Sequence, residues 1–201
     1  MDWPVYGGRD MSRYANWRAH LGFFVPTVTA GFVGLYDPGA DQGMVRAFTP
    51  GWPAGTKFFG PAGISPLVWT DDGSDYVELW SGATGSFWSY ATLNPGESVG
   101  WTERWYPVHG LGGFNTANEA AALRLTEAGG AVEVGVAVSA FTTGELTLWA
   151  GEQRVEAWPI SLYPGQAFRA SWTREAGVQG GLGLRLQGAD GAIVAQMGEV
   201  P

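Results

Sequence analysis

The chain has 201 residues, 45% of them hydrophobic, with 11 basic against 19 acidic side chains for a formal net charge of −8. That balance argues against nucleic acid and against an anionic membrane as partners, because both draw affinity from Lys and Arg. No apolar run approaches the roughly 18 residues a membrane span requires, and with no Cys there are no disulfides and no thiolate metal sites.

Met1-Asp2-Trp3-Pro4 opens no basic-then-apolar leader, so a soluble cytoplasmic protein is expected. Thirty-two Gly and 12 Pro interleaved with 14% aromatic residues predict short strands joined by frequent turns rather than disorder. The expectation is an all-β fold.

In chain order, Asp71-Asp72-Gly73-Ser74-Asp75 has the carboxylate density of a calcium loop but lacks its closing bidentate Glu, and reads as a hairpin turn. Next, Tyr76-Val77-Glu78-Leu79-Trp80 alternates so that Tyr76, Glu78 and Trp80 share one strand face. Leu93-Asn94-Pro95-Gly96-Glu97 and Leu162-Tyr163-Pro164-Gly165-Gln166 echo each other as type II turns, each leading into an aromatic strand. Gly110-Leu111-Gly112-Gly113 lacks the spacing of a phosphate loop.

From Asn118 to Leu125 the residues suit a helix capped by Asn118 or a strand, and strand is favoured because the text runs on into Val132, Val134, Val136 and Val138 at period two. Leu146–Trp149 with Arg154–Trp158, and Gly183–Gln187 with Ala192–Gln196, read as hairpins. The change from Trp-rich to small-aliphatic text predicts an antiparallel sandwich domain over 1–118 and a small antiparallel β-sandwich module over 119–201.

Eight of the 11 Trp precede residue 106: Trp3, Trp17, Trp52, Trp69, Trp80, Trp88, Trp101 and Trp105. An indole face covers the C–H face of a sugar while nearby polar groups bond its hydroxyls, which suits a glycan cleft. For any single Trp the ordinary expectation is the core. Glu78, flanked by two aromatics, is either partly desolvated, which would raise its carboxyl pKa toward the range a general base needs, or a solvated outward carboxylate. His20 and His109 have no neighbouring Asp or Ser that suggests a triad.

The segments Gly8-Arg9-Asp10-Met11-Ser12-Arg13-Tyr14, Asn16-Trp17, Trp69-Thr70-Asp71-Asp72-Gly73, Tyr76-Val77-Glu78-Leu79-Trp80 and Trp101-Thr102-Glu103-Arg104-Trp105-Tyr106-Pro107 carry a likeness. Over roughly the first 120 residues the chain resembles an uncharacterised bacterial family with a galactose-mutarotase-like domain, often joined to tetratricopeptide repeats. More broadly it is similar to the C-terminal portion of aldose 1-epimerase-like supersandwiches. In those proteins a catalytic Glu is followed by a Leu-x-Pro-Gly-Glu turn, as Glu78 is here by Leu93-Asn94-Pro95-Gly96-Glu97.

The resemblance implies a partial supersandwich and a base at Glu78. The epimerases take their acid His from well over a hundred residues upstream, whereas 77 residues precede Glu78. The expectation is therefore a carbohydrate-binding-type protein, a non-catalytic remnant or fragment. Its sugar would meet Arg9, Asp10, Arg13, Tyr14, Trp17, Tyr76, Trp80 and Trp88, with no cofactor and no metal. One alternative is an epimerase-like isomerase with Glu78 as base and His20 or Tyr14 as acid. The other is an interaction domain that self-associates, or takes a partner chain, through an exposed sheet edge.

Overall fold

The computed structural model describes residues 4–25, 28–51 and 55–201, so Trp3 and Trp52 lie outside the described residues. The fold is all-β, with every strand pair antiparallel. The only helical elements among the described residues are 3-10 turns at Tyr14–Asn16 and Pro66–Val68.

Two compact units divide the chain, each discontinuous in sequence. The first comprises Met1–Thr29 and Gly51–Trp101, the second Ala30–Pro50 and Thr102–Pro201. These limits differ from the boundary expected at 118/119, and strand pairing explains the difference. Strand β5 (Gln42–Phe48) pairs along its whole length with β8 (Glu103–His109), drawing an early segment into the later unit. Backbone pairing between residues some 60 positions apart leaves no local signature in the sequence.

The second unit is built on a sandwich. One sheet has the order β14 (Ala167–Thr173), β11 (Ala131–Val138), β10 (Ala121–Ala128), β9 (Thr116–Ala117). The other runs β13 (Gln153–Leu162), β12 (Thr142–Ala150), β15 (Leu182–Gly188), β16 (Ile193–Gly198). Val132, Val134, Val136 and Val138 project from β11 into a core shared with Leu146, Leu148, Leu184 and Leu186 of the facing sheet. Alternation at period two produces that arrangement, and both expected hairpins form.

Asn118 turns the chain into β10 by accepting the backbone N–H groups of Ala120 and Ala121 at 2.8 and 2.9 Å, so the strand reading of this stretch holds. Strand β11 is not half-buried throughout: Gly135 and Ala137, on its other face, are buried too. That face is covered by a third layer, β4 (Phe32–Asp37) with β5 and β8. Val45, Tyr106 and Val108 from this layer pack with Leu111, Ala122 and Ala137.

In the first unit a hairpin of β1 (Val5–Tyr6) and β2 (Arg9–Asp10) precedes a three-stranded sheet of order β3 (Leu21–Val25), β6 (Thr56–Gly60), β7 (Glu78–Trp80). The Asp71–Asp75 run is not a hairpin turn. It joins the second 3-10 turn to β7, with the Asp72 carboxylate accepting the Ser74 N–H at 3.0 Å. Among the described residues no cluster of His, Asp and Glu could hold a metal.

Candidate functional site

The register of the three-stranded sheet decides what each of its faces carries. Phe24 stands opposite Lys57 and Lys57 opposite Trp80, while Gly22 stands opposite Phe59 and Phe59 opposite Glu78. Cross-strand partners share a face, so Phe24, Lys57, Phe59, Glu78 and Trp80 emerge together. Phe23 and Phe58 point the other way, into a small core with Met11, Trp17, Tyr14 and Leu21.

On the first face Glu78 is held between its neighbours. Tyr76 donates its hydroxyl to Glu78 Oε1 at 2.9 Å, and the Trp80 indole N–H donates to Oε2. Burial, and then the bond to Glu78, push the Tyr76 phenol above its ordinary pKa, keeping it a donor. Each carboxylate oxygen retains a lone pair for a further donor. The alternation of Tyr76, Glu78 and Trp80 read from the sequence is therefore realised as a bonded triad.

An aromatic surface flanks the carboxylate on both sides. Trp80 meets Phe87 edge-on with centroids 5.1 Å apart, and Phe87 meets Phe24 at 5.2 Å and Trp88 at 6.2 Å. Toward the other end, Tyr76 contacts Trp69 at 6.2 Å, and Trp69 contacts Phe59 at 5.9 Å. These rings are not core. Trp69, Trp80 and Phe87 are between two-fifths and one-half exposed, and Trp88 is 74% exposed. The expectation that a given Trp packs inside holds for Trp17, but Trp69, Trp80, Trp88, Trp101 and Trp105 all lie at the surface.

Lys57 fixes the loop that carries Phe87 and Trp88. Its ammonium, 4% exposed as a residue, donates to the carbonyls of Gly55 and Thr84, each at 2.9 Å, and lies 5.9 Å from the Phe87 ring centroid. Gly55 is required there, because a Cβ would stand 2.1 Å from the Thr84 carbonyl oxygen. Lys57, Phe24 and Phe87 escaped the sequence reading. Period-two alternation in Lys57-Phe58-Phe59 and Phe23-Phe24 could have placed the first two, but nothing local marked Phe87.

The other expected residues are dispersed. Trp17 is buried, its indole N–H donating to the Met11 carbonyl at 3.0 Å and its ring packed on Tyr14 and Phe23. It is a core residue rather than a sugar platform, because Gly60 opens the space that its ring and that of Tyr14 fill. The Tyr14 hydroxyl is buried without a hydrogen-bond partner, and burial raises its pKa.

Arg9 and Asp10 lie on the β1–β2 hairpin, with Arg13 3 residues beyond at 4.0 Å from the Asp10 carboxylate. Ser12 bonds the same carboxylate at 2.6 Å and holds its pKa down. His20 is exposed just before β3, and the two hydrogen bonds to Glu78 come from Tyr76 and Trp80, not from His20 or Tyr14. The triad, Trp88 and the rings between them thus form one surface, and among the described residues no hydrogen bond or ring contact of the remaining candidates reaches it.

Comparison with known proteins finds no match among family models, curated proteins or solved structures.

Proposed function

We propose that the first unit is a glycan-binding surface, with Glu78 accepting sugar hydroxyls and the indoles of Trp80 and Trp88 covering the apolar face of sugar rings. The supporting observation is the pairing of a fixed carboxylate with exposed, mutually braced indoles on one sheet face. Exposed rings in such density on a chain of high net charge carry a desolvation benefit that only an occupant realises. The rings are braced before binding, so little side-chain entropy is lost on contact.

The likeness to mutarotase-type proteins points to the same ligand class, and it gives Glu78 the place of their base. Ring opening also needs an acid on the same substrate. Among the described residues neither His20 nor Tyr14 is hydrogen-bonded to Glu78, and the Tyr14 hydroxyl is buried without a hydrogen-bond partner, so binding without turnover is the reading we favour.

A glycan array followed by calorimetric titration tests it. At least one neutral oligosaccharide should bind, and Trp88→Ala should weaken it about tenfold, the equivalent of a lost ring-stacking contact. Absence of any binder, or a binder indifferent to both Trp88→Ala and Glu78→Gln, would contradict the proposal.

A further inference from the structure

The hairpin side of the first unit carries a separate feature. Strands β1 and β2 join through Gly7 and Gly8, both at left-handed φ of 57° and 74°, which sets Tyr6 directly across from Arg9. The chain then runs through Met11 and the Tyr14–Asn16 turn and brings Arg18 back to the hairpin. The result is a cavity of about 200 Å³ with Arg9 and Arg18 on its wall, bounded by Tyr6, Gly7, Met11 and Leu21. Met11 and Leu21 belong to the core cluster on the sheet face opposite Glu78, so this cavity is distinct from the aromatic surface.

Its electrostatics are unusual for a chain of charge −8. Arg13, Arg46, Arg104, Arg124, Arg154 and Arg174 each have an Asp or Glu carboxylate within 4.0 Å, whereas among the described residues Arg169 and Arg185 in the second unit do not. Among the described residues neither Arg9 nor Arg18 has such a carboxylate or makes a side-chain hydrogen bond, and none of the described residues lining the cavity they share is acidic. The adjacent Asp10 is engaged by Ser12 and Arg13 instead. Arg9 and Arg18 both line this cavity and both are exposed, so an anion bound there would meet two positive charges, and the planar fork of a guanidinium matches the oxygens of phosphate or carboxylate.

We propose that this cavity binds the oxyanion group of a small molecule, with Arg9 and Arg18 as its donors and the Tyr6 ring as an apolar wall. Room for a single small ligand, and two arginines with no acid among the described lining residues, set the ligand class: a phosphorylated or carboxylated metabolite of monosaccharide size.

Calorimetric titration with inorganic phosphate, glucose 6-phosphate and glucuronate tests this in the full chain. At least one should bind saturably and more weakly as salt rises, and the pattern among the three separates phosphate from carboxylate as the preferred group. Arg9→Gln and Arg18→Gln should each weaken binding by about tenfold or more. Arg154→Gln, in the other unit, should leave it unchanged. Arg9→Lys should retain part of the affinity, because charge persists while the fork is lost. Failure of all three anions to bind would overturn the proposal. So would undiminished binding by the Arg9→Gln/Arg18→Gln double variant at an unchanged melting temperature.

Discussion

Tyr36 and Asp41 show how much of this molecule rests on single side chains that bridge distant backbone. The Tyr36 hydroxyl donates to Asp41 Oδ1 at 2.5 Å and accepts the N–H groups of Leu111 and Gly112 at 3.0 and 2.9 Å. Gly112 N–H also reaches Asp41 Oδ1 at 2.9 Å. The Tyr36 bond, followed by that of Gly112, holds the Asp41 carboxyl below its ordinary 3.8. A depressed carboxyl stabilises the fold above its unfolded pKa and loses that contribution as pH falls through the lower folded value. The melting-temperature gap between wild type and Asp41→Asn should therefore be flat from about pH 5 to about pH 8 and close as pH falls below about 4. A gap that persists unchanged into acid would contradict the assignment. Nothing in the sequence announces this node, since its partners lie over seventy positions apart. The Glu78 triad was legible because its members are adjacent and alternate.

At the scale of elements, legibility follows the range of the pairing. The valine strand and its hairpin, the β12–β13 hairpin and both Pro-Gly turns are local, and alternation or turn chemistry reveals them. The two turns even share a cap: Asn94 N–H is accepted by Glu97 at 2.8 Å and Tyr163 N–H by Gln166 at 2.9 Å. The β3–β6–β7 sheet and the β5–β8 pairing escaped because their strands meet partners well beyond the next turn, whereas the β4–β5 hairpin, closed between Asp37 and Gln42, is local and escaped all the same.

Close backbone approach sets a second requirement at this scale. Gly144 in β12 stands opposite Gly188 of β15, and a Cβ there would lie 2.0 Å from the Gln187 carbonyl oxygen. That atom is backbone in a central strand and cannot give way without breaking the ladder. Gly144→Ala should cost about 3 kcal/mol or more in denaturant unfolding, whereas Gly100→Ala, with open space around it, should stay within about 0.5 kcal/mol. Equal effects would contradict the strand register.

For the whole molecule, the division of labour follows from where apolar surface is hidden. The second unit buries its aliphatic side chains in a three-layer stack and owes its stability to that burial. The first unit has a small core around Phe23 and Trp17, and it leaves Trp69, Trp80, Phe87 and Trp88 in contact with solvent beside Glu78.

Nitrogen-15 spectra of the tryptophan indoles, recorded while an array-selected glycan is added, test this division most directly. The Trp80 signal reports the bond to Glu78, Trp88 the exposed ring, and Trp17 the core. Saturable shifts at Trp80 and Trp88 with Trp17 unmoved are the expected result. Shifts confined to Trp17 or to the tryptophans of the second unit, with Trp80 and Trp88 still, would contradict the account.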